Sequence, residues 1–490
     1  MNPDPKPEPS PTIRFPGPGA TPTDAVAAAP DEVQASLIEA RKKLYPRAVQ
    51  GLFNRWRWAL VWLTQLVFYG LPWLAWNQRQ AVLFDLEARR FYLFGLVLYP
   101  QDFIYLTGLL VISALALFLF TAVAGRLWCG FACPQTVYTE IFLWIEKKIE
   151  GDRSARMRLD GAAMSIEKLG KKWLKHLVWV LFSLWTGFTF VGYFTPITEL
   201  ARIVQAWTLG PWETFWIFFY GLATYGNAGW LREQVCKHMC PYARFQSAMF
   251  DPDTMIVTYD TARGEPRGAR SKKVDPRAQG LGSCVDCTLC VQVCPTGIDI
   301  RQGLQYECIG CGACIDVCDD VMDKMGYPRG LIKYSTQNGM DRGWTRAQMV
   351  RRALRPRVLV YTTILLAICV ALGASLALRT PLRLDVIRDR GALARTVEQG
   401  RIENVFQLQL MNATEARQAL DMSVQGIPGI EIVTEPVVEV LPTELRSLVL
   451  RVQVPPGAAE AGSHPIYFTL RSRSDAALHV TEKSVFIVPR

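Results

Sequence analysis

Eight cysteines fall between Cys284 and Cys318, in two runs of one spacing. The first run is Cys284-x-x-Cys287-x-x-Cys290-x-x-x-Cys294, followed by Pro295. The second is Cys308-x-x-Cys311-x-x-Cys314-x-x-x-Cys318, followed by Asp319. Two residues between cysteines let a tight loop aim successive thiolates at one cubane, and the fourth cysteine reaches across to a neighbouring one. This is the spacing of a two-cluster ferredoxin. It assigns Cys284, Cys287, Cys290 and Cys318 to one 4Fe-4S cluster, and Cys308, Cys311, Cys314 and Cys294 to the second. Gly310 and Gly312 relieve crowding where backbone amides must approach the cluster sulfurs. Zinc ribbons use two Cys-x-x-Cys knuckles and a longer insert, which is a different pattern. Asp319 and Asp320 add negative charge near one cluster and lower its potential; the spacing does not say which cluster.

Four more cysteines form a second constellation. Cys129-Gly130-Phe131-Ala132-Cys133-Pro134 and Cys236-Lys237-His238-Met239-Cys240-Pro241 are both Cys-x-x-x-Cys-Pro. Residues i and i+4 share one face of a helix, so each pair can grip one ion, and two pairs can converge into a four-thiolate site. Soft thiolates select Cu(I), zinc or an iron–sulfur cluster, and the residues leave these open. His238, inside the second pair, and His176 are candidate further ligands. Small residues packing between helices would be the bland alternative. The repetition, with proline at the equivalent place each time, argues against it. Cys369 stands alone in an apolar run and reads as packing.

These sites need elements to hold them. Five apolar segments, about Trp58–Trp76, Phe103–Ala124, Leu177–Phe194, Trp212–Gly229 and Val358–Leu378, are each near the ~20 residues that span a bilayer. Trp56, Trp58, Trp76, Tyr193, Trp212 and Trp230 sit at their ends as an aromatic belt. Each Cys-x-x-x-Cys-Pro follows the second segment of a pair, which makes an internal repeat. Lysine and arginine crowd the stretch before the first segment and the loop between the second and third, whereas only Arg202 lies between the third and fourth. The positive-inside rule then puts the N-terminus and the ferredoxin insert in the cytoplasm and the C-terminus outside. A reducing compartment also suits cluster assembly. The net charge of +10 sits at segment ends, so membrane lipid accounts for it and nucleic acid is not a partner.

The chain therefore reads as multi-domain. An α-helical membrane bundle of five spans carries an inserted two-cluster ferredoxin-like domain and a C-terminal immunoglobulin-like β-sandwich. The expected boundaries are a disordered Pro-rich tail at 1–40, a four-helix membrane region with both motifs at 41–250, the cytoplasmic ferredoxin domain at 251–355, a fifth membrane helix at 356–379 and the sandwich at 380–490. The tail has no charged stretch followed by an apolar core and so does not read as a signal peptide. No Cys-x-x-Cys-His haem attachment and no strand–Gly-x-Gly-x-x-Gly–helix unit occurs in the sequence. Electrons must come from another protein or from a quinol; the donor itself is not named by the sequence.

The combination resembles the cytochrome c oxidase accessory protein family (CcoG/FixG/RdxA), membrane-bound polyferredoxins. Further stretches carry the likeness: Arg79-Gln80-Ala81-Val82-Leu83-Phe84-Asp85-Leu86, Tyr99-Pro100-Gln101-Asp102-Phe103, Arg126-Leu127-Trp128-Cys129-Gly130 and Pro241-Tyr242-Ala243-Arg244-Phe245-Gln246. The resemblance implies a multi-pass protein of the bacterial inner membrane with a periplasmic C-terminal domain. It implies reduction of Cu(II) to Cu(I) for assembly of a cbb-type haem–copper oxidase. The partners implied are that oxidase and its copper assembly factors. On this reading Cys129, Cys133, Cys236 and Cys240 are the catalytic and copper-binding set, with His238 as a further ligand. The alternative is an electron-relay or docking subunit of a quinol-dependent reductase, the same four cysteines holding a third iron–sulfur centre. Oligomeric state stays open, a homodimer being the commonest closed form.

Overall fold

The computed structural model describes residues 43–273, 280–389, 394–475 and 477–489. The Pro-rich stretch 1–40 lies outside the described residues. The chain divides into two compact units, Met1–Trp73 with Gly108–Ile368, and Leu74–Thr107 with Cys369–Arg490.

Each of the five apolar segments coincides with a helix. They are α1 (Leu52–Gly70), α2 (Phe103–Ala124), and, after α3 (Leu127–Phe131) and α4 (Pro134–Glu150), α5 (Ile166–Val191) and α6 (Pro211–Thr224). A π-helical turn, Tyr225–Leu231, extends α6. After α7 (Pro241–Met249) and α8 (Ala313–Met325), α9 (Pro356–Ala377) is the fifth. Among the described residues, three helical stretches are long and apolar enough to cross a membrane: Pro100–Ala124, Ile166–Val191 and Pro356–Ala377. Arg55 and Arg57 in α1, and the shortness of α6, set these two apart from the other three.

In the first unit the ferredoxin part is built on an antiparallel strand pair, Ile256–Tyr259 with Ile332–Ser335, whose residues Val257 and Tyr334 lie opposite one another. Its core joins Val257, Tyr259, Ile300, Ile315, Met322, Leu331 and Ile332 to Cys284 and Cys290. Helix α1 starts after Gly51, which has no side chain to cap the free N–H groups of the first turn. The cap comes from 260 residues away. The Asp316 carboxylate of α8 accepts from the N–H of Phe53 at 3.1 Å and of Asn54 at 2.8 Å. A carboxylate at a helix N-terminus also meets the positive end of the helix dipole. This ties α1 to the ferredoxin core.

In the second unit, two sheets face each other, as expected of a sandwich from the alternating runs Val405–Met411, Val437–Val440, Leu448–Val454, Ile466–Arg471 and Ser484–Val488. Its strands in chain order are β1 (Val82–Asp85), β2 (Arg90–Leu93), β3 (Leu96–Leu98), β4 (Leu382–Arg388), β5 (Ile402–Asn412), β6 (Gln418–Gln425), β7 (Glu431–Ile432), β8 (Val437–Val440), β9 (Leu445–Val454), β10 (Gly462–Ser472) and β11 (His479–Val488). One sheet runs β7-β9-β5-β4 and the other β8-β6-β10-β11. Inward residues Phe406, Leu408, Leu410, Val452, Phe468 and Phe486 are almost fully buried between them. The strands β1–β3 form a third small sheet that packs on this domain. Leu83, Tyr92, Val97 and Tyr99 share a core with Met411. Tyr99 donates to the carbonyls of Asn412 and Thr443, and buried Asp102 holds Arg379 at 2.5 Å and Arg383 at 2.8 Å. The loop between the first two apolar segments is therefore part of the C-terminal body.

Candidate functional site

The ferredoxin repeat folds as two matching turns. In the second run Gly310 and Gly312 take φ of +63° and +72°, in the left-handed region that glycine enters without strain. In the first run the equivalent positions are Asp286 and Thr288, at +50° and +56°. The sequence flagged the two glycines but not their non-glycine counterparts. Superposing the two runs would have found them.

These turns shape two cavities. One, of about 370 Å³, is lined by Cys284, Cys287, Cys290 and Cys318. The other, of about 350 Å³, is lined by Cys294, Cys308, Cys311 and Cys314, with Cys290 between the two. The thiols sense one another in the same groups: Cys318 feels Cys290, Cys284 and Cys287, whereas Cys314 feels Cys311, Cys308 and Cys294 most. Burial pushes the Cys290, Cys308 and Cys318 thiols up to about 12, so each must shed a proton on binding metal. Four converging thiols around a closed space are what a 4Fe-4S cubane requires, and the residues fit it. Asp319 raises Cys318, so its charge bears on the first cavity, while Asp320 pairs with Lys324 on the surface. Arg301, held by Asp299 and Asp286, also lines the first cavity.

The two Cys-x-x-x-Cys-Pro motifs adopt one local design. Cys133 and Cys240 each precede a helix, in extended backbone, and Pro134 and Pro241 each occupy its first turn. Proline suits that position, because its fixed φ matches the helix and the missing N–H has no partner there anyway. Cys129 lies on α3 and Cys236 on the π-helical turn Val235–Met239. The structure brings all four together: Cys236 feels Cys133, Cys129 and Cys240. Burial, then the neighbouring thiols, pushes Cys129 up to about 11 and Cys236 to about 12. Cys129 Sγ donates to Gln246 Oε1 at 3.3 Å, and Gln246 is itself fully buried. Among the described residues, no three His, Cys, Asp or Glu side chains converge on the spacing of a single metal ion.

The Cys129 end of this site sits against the second cluster site. Cys129 packs on the apolar cluster that contains Cys311. A Cβ on Gly130 would stand 2.8 Å from Cys311 Cα, Gly310 O and Ile309 O, so only glycine lets the two backbones meet. Arg126 is buried, bonds the carbonyl of Ala243 beside the second motif and lies 5.3 Å from the Tyr306 ring. Tyr306 in turn bonds the carbonyl of Lys237 inside that motif. Gly130, Arg126, Gln246 and Tyr306 had no assigned role from sequence, although the first three stood in the stretches that carry the family likeness.

His238 is exposed and lines a surface cleft with Cys240, Met239 and Arg244. His176 bonds Tyr225 at 3.0 Å and stacks on Trp230. Its ring is engaged within an aromatic cluster.

Comparison with known proteins agrees with this picture. A family model described as "4Fe-4S dicluster domain" matches residues 231–337, "4Fe-4S binding domain" matches 106–151, and "IG-like fold at C-terminal of FixG" matches 372–489. The nitrogen fixation protein FixG of Rhizobium meliloti is 38% identical over 437 residues, covering 83% of each chain. Protein RdxA of Cereibacter sphaeroides is 39% identical over 402 residues, 80% of this chain and 84% of the relative. Protein RdxB of the same organism is 39% identical over 430 residues, 84% of this chain and 90% of the relative. With two cluster-sized cysteine cavities, a C-terminal sandwich and this extent of identity, the chain belongs to the FixG/RdxA family of 4Fe-4S proteins.

Proposed function

We propose that this chain is a membrane-bound electron-transfer protein that reduces Cu(II) to Cu(I) for assembly of a cbb-type haem–copper oxidase. Two 4Fe-4S clusters, held by the eight cysteines in the groups expected from spacing, supply one-electron carriage. Cys129, Cys133, Cys236 and Cys240 receive copper as substrate, and their soft thiolates retain the Cu(I) formed. The contact of Gly130 with the Cys311 loop carries this assignment, because it sets the copper-accepting thiols against the second cluster site. His238, exposed beside Cys240, remains a further candidate ligand. The test is cupric reduction by purified protein with and without Cys129→Ala and Cys236→Ala. Unchanged rates in both variants remove the four cysteines from the mechanism.

One observation favours a second reading. The match to a 4Fe-4S binding domain at 106–151 contains Cys129 and Cys133 and none of the eight ferredoxin cysteines. The four would then hold a third cluster, and the chain would act as an electron relay. Iron per chain separates the two: about eight atoms for two clusters, about twelve for three.

Parity supports five spans. Residues 43–54 bond to the ferredoxin part, as Arg47 N–H does to Gln292 O, so both lie on one side of the membrane. An even number of crossings must separate them. Residues 75–102 likewise pack within the C-terminal domain, so an even number of crossings separates those two as well. The three long apolar helices alone meet the first condition, with two crossings, but break the second, with three. Adding α1 and the α6–π-turn helix satisfies both, and the charge bias makes the ferredoxin side cytoplasmic. The cysteine-free C-terminal domain then faces the periplasm, as a docking module for the oxidase or its copper factors.

A further inference from the structure

A cleft of about 800 Å³ lies beside the second cluster cavity, and nothing so far assigns it a role. Its inner wall is apolar. Val293 and Ala313 belong with Cys311 to one buried cluster, and Val49 packs against that cluster. A single layer of side chains thus separates the cleft from a cluster ligand. Its outer wall is aromatic. Trp58 and Trp144 meet edge to face at 6.4 Å, and Lys148 lies over the Trp144 ring. An apolar ring with a cation at its edge is the arrangement of a membrane interface.

The rest of the lining is polar and charged, with Arg57, Glu140, Lys147, Asp152 and Arg156 among it. Arg57, only 5% exposed, pairs with Glu140 at 2.6 Å. Arg156 is 3% exposed; it spends Nη1 on Glu146 and Nη2 on the Pro46 carbonyl, but its buried Nε has no partner. A buried N–H without a partner is uncommon and calls for an explanation.

We propose that this cleft binds a membrane quinol, and that the quinol is the electron donor to the clusters. The proposal rests on the electron-carrier reading above and supplies its missing reductant. The occupant must be small enough for the cleft, apolar enough to arrive along Trp58 and Trp144, and able to give single electrons. An anionic lipid headgroup would use the arginines but has no need of Glu140 or of a wall shared with Cys311. The reaction balances within the chain. Both quinol O–H bonds break, the ring becomes quinone, and two electrons leave, one for each 4Fe-4S cluster. One proton passes to the Glu140 carboxylate and the other to water at the mouth of the cleft, beside Asp152.

The test uses the full chain, cluster-loaded, in nanodiscs without oxygen or copper. Decylubiquinone binding is read from thermal stabilisation and from quenching of tryptophan fluorescence. Cluster reduction by decylubiquinol is read by electron paramagnetic resonance. Ala48→Phe fills the cleft from its exposed rim, and Glu140→Gln removes the proton acceptor. Quinone should bind the native chain at least tenfold more tightly than Ala48→Phe. Decylubiquinol should reduce native clusters at least tenfold faster than either variant, while dithionite reduces all three alike. Failure of quinol to reduce clusters that dithionite reduces would overturn the proposal. So would equal binding by Ala48→Phe, or stabilisation by phosphatidylglycerol in place of quinone. Because copper is absent, these outcomes are distinct from failure of the copper reading, which would leave quinol-reduced clusters and unreduced Cu(II).

Discussion

Gly130→Ala is a one-carbon change that tests how the four-cysteine site meets the second cluster site. The new Cβ would lie 2.8 Å from Cys311 Cα, Gly310 O and Ile309 O, where ordinary contact begins at 3.4 Å. The loop or α3 must therefore give way by about 0.6 Å, the difference between those two distances. All three neighbours are backbone, held by the Tyr334 hydroxyl on Gly310 O and by the cluster cysteines, so neither side yields easily. Overpacking of this kind costs about 1–3 kcal/mol. That is about 5- to 150-fold in the ratio of docked to undocked states. Three measurements follow the change: iron per chain, the thermal unfolding midpoint, and single-turnover electron delivery to copper from dithionite-reduced protein. Iron should stay near the native count, because no ligand is removed. Electron delivery should fall at least about fivefold, the lower end of that range. Gly170→Ala, in α5 with nothing within 4 Å of the new carbon, is the control. It should be neutral or stabilise by up to about 1 kcal/mol, since alanine favours a helix over glycine. Native-like stability and electron delivery in Gly130→Ala would refute the idea that backbone contact couples the two sites.

Further outcomes follow from other contacts. Asp316→Ala removes the carboxylate that caps α1, leaves the N–H groups of Phe53 and Asn54 without a partner, and should cost about 1–2 kcal/mol in chemical denaturation. Copper retention should rise with pH. Cys129 is pushed up to about 11 by burial and its neighbours, so at lower pH each thiol that binds must first lose a proton. Competition with a Cu(I) chelator should show about tenfold tighter binding per pH unit for each thiol deprotonated. Arg126→Met removes a cation that lowers Cys129 and should shift that profile to higher pH. Asp102→Asn breaks a buried pair with Arg379 and should destabilise the C-terminal unit by about 3–5 kcal/mol, read as an earlier melting step with unchanged iron.

The eight ferredoxin cysteines were legible because their chemistry is local. A cubane demands ligands two and three residues apart, and that demand is written directly into the spacing. The Cys-Pro pairs were legible as a repeat, because proline at the first turn of a helix leaves the same mark twice. Alternation of inward and outward residues marked five sandwich strands, β5, β8, β9, β10 and β11, but not β4 or β6. His238 lies on an irregular, π-helical turn where sequence proximity to Cys236 and Cys240 does not say which way a side chain points; it is exposed and lines a cleft with Cys240.

What stayed hidden depends on contacts between distant segments. Gly130 looks like any small residue until Cys311 is seen to press against it. Asp316 looks like a surface carboxylate on a cysteine-bearing helix until Gly51 is seen to leave α1 uncapped. The loop carrying Tyr99 and Asp102 reads as a short connection between spans. Only the buried ion pair of Asp102 with Arg379, and Tyr99 bonded to the carbonyls of Asn412 and Thr443, make it part of the C-terminal body. That last contact does more than complete a domain. It fixes two points of the chain to one side of the membrane, and so forces an even number of crossings between them. Hydropathy assigns spans one at a time, and it is weakest for α1, with two arginines, and for the short α6. Packing outside the membrane bears on all the crossings together, so the proposal that α1 and α6 are spans draws its support from contacts of residues that lie outside both.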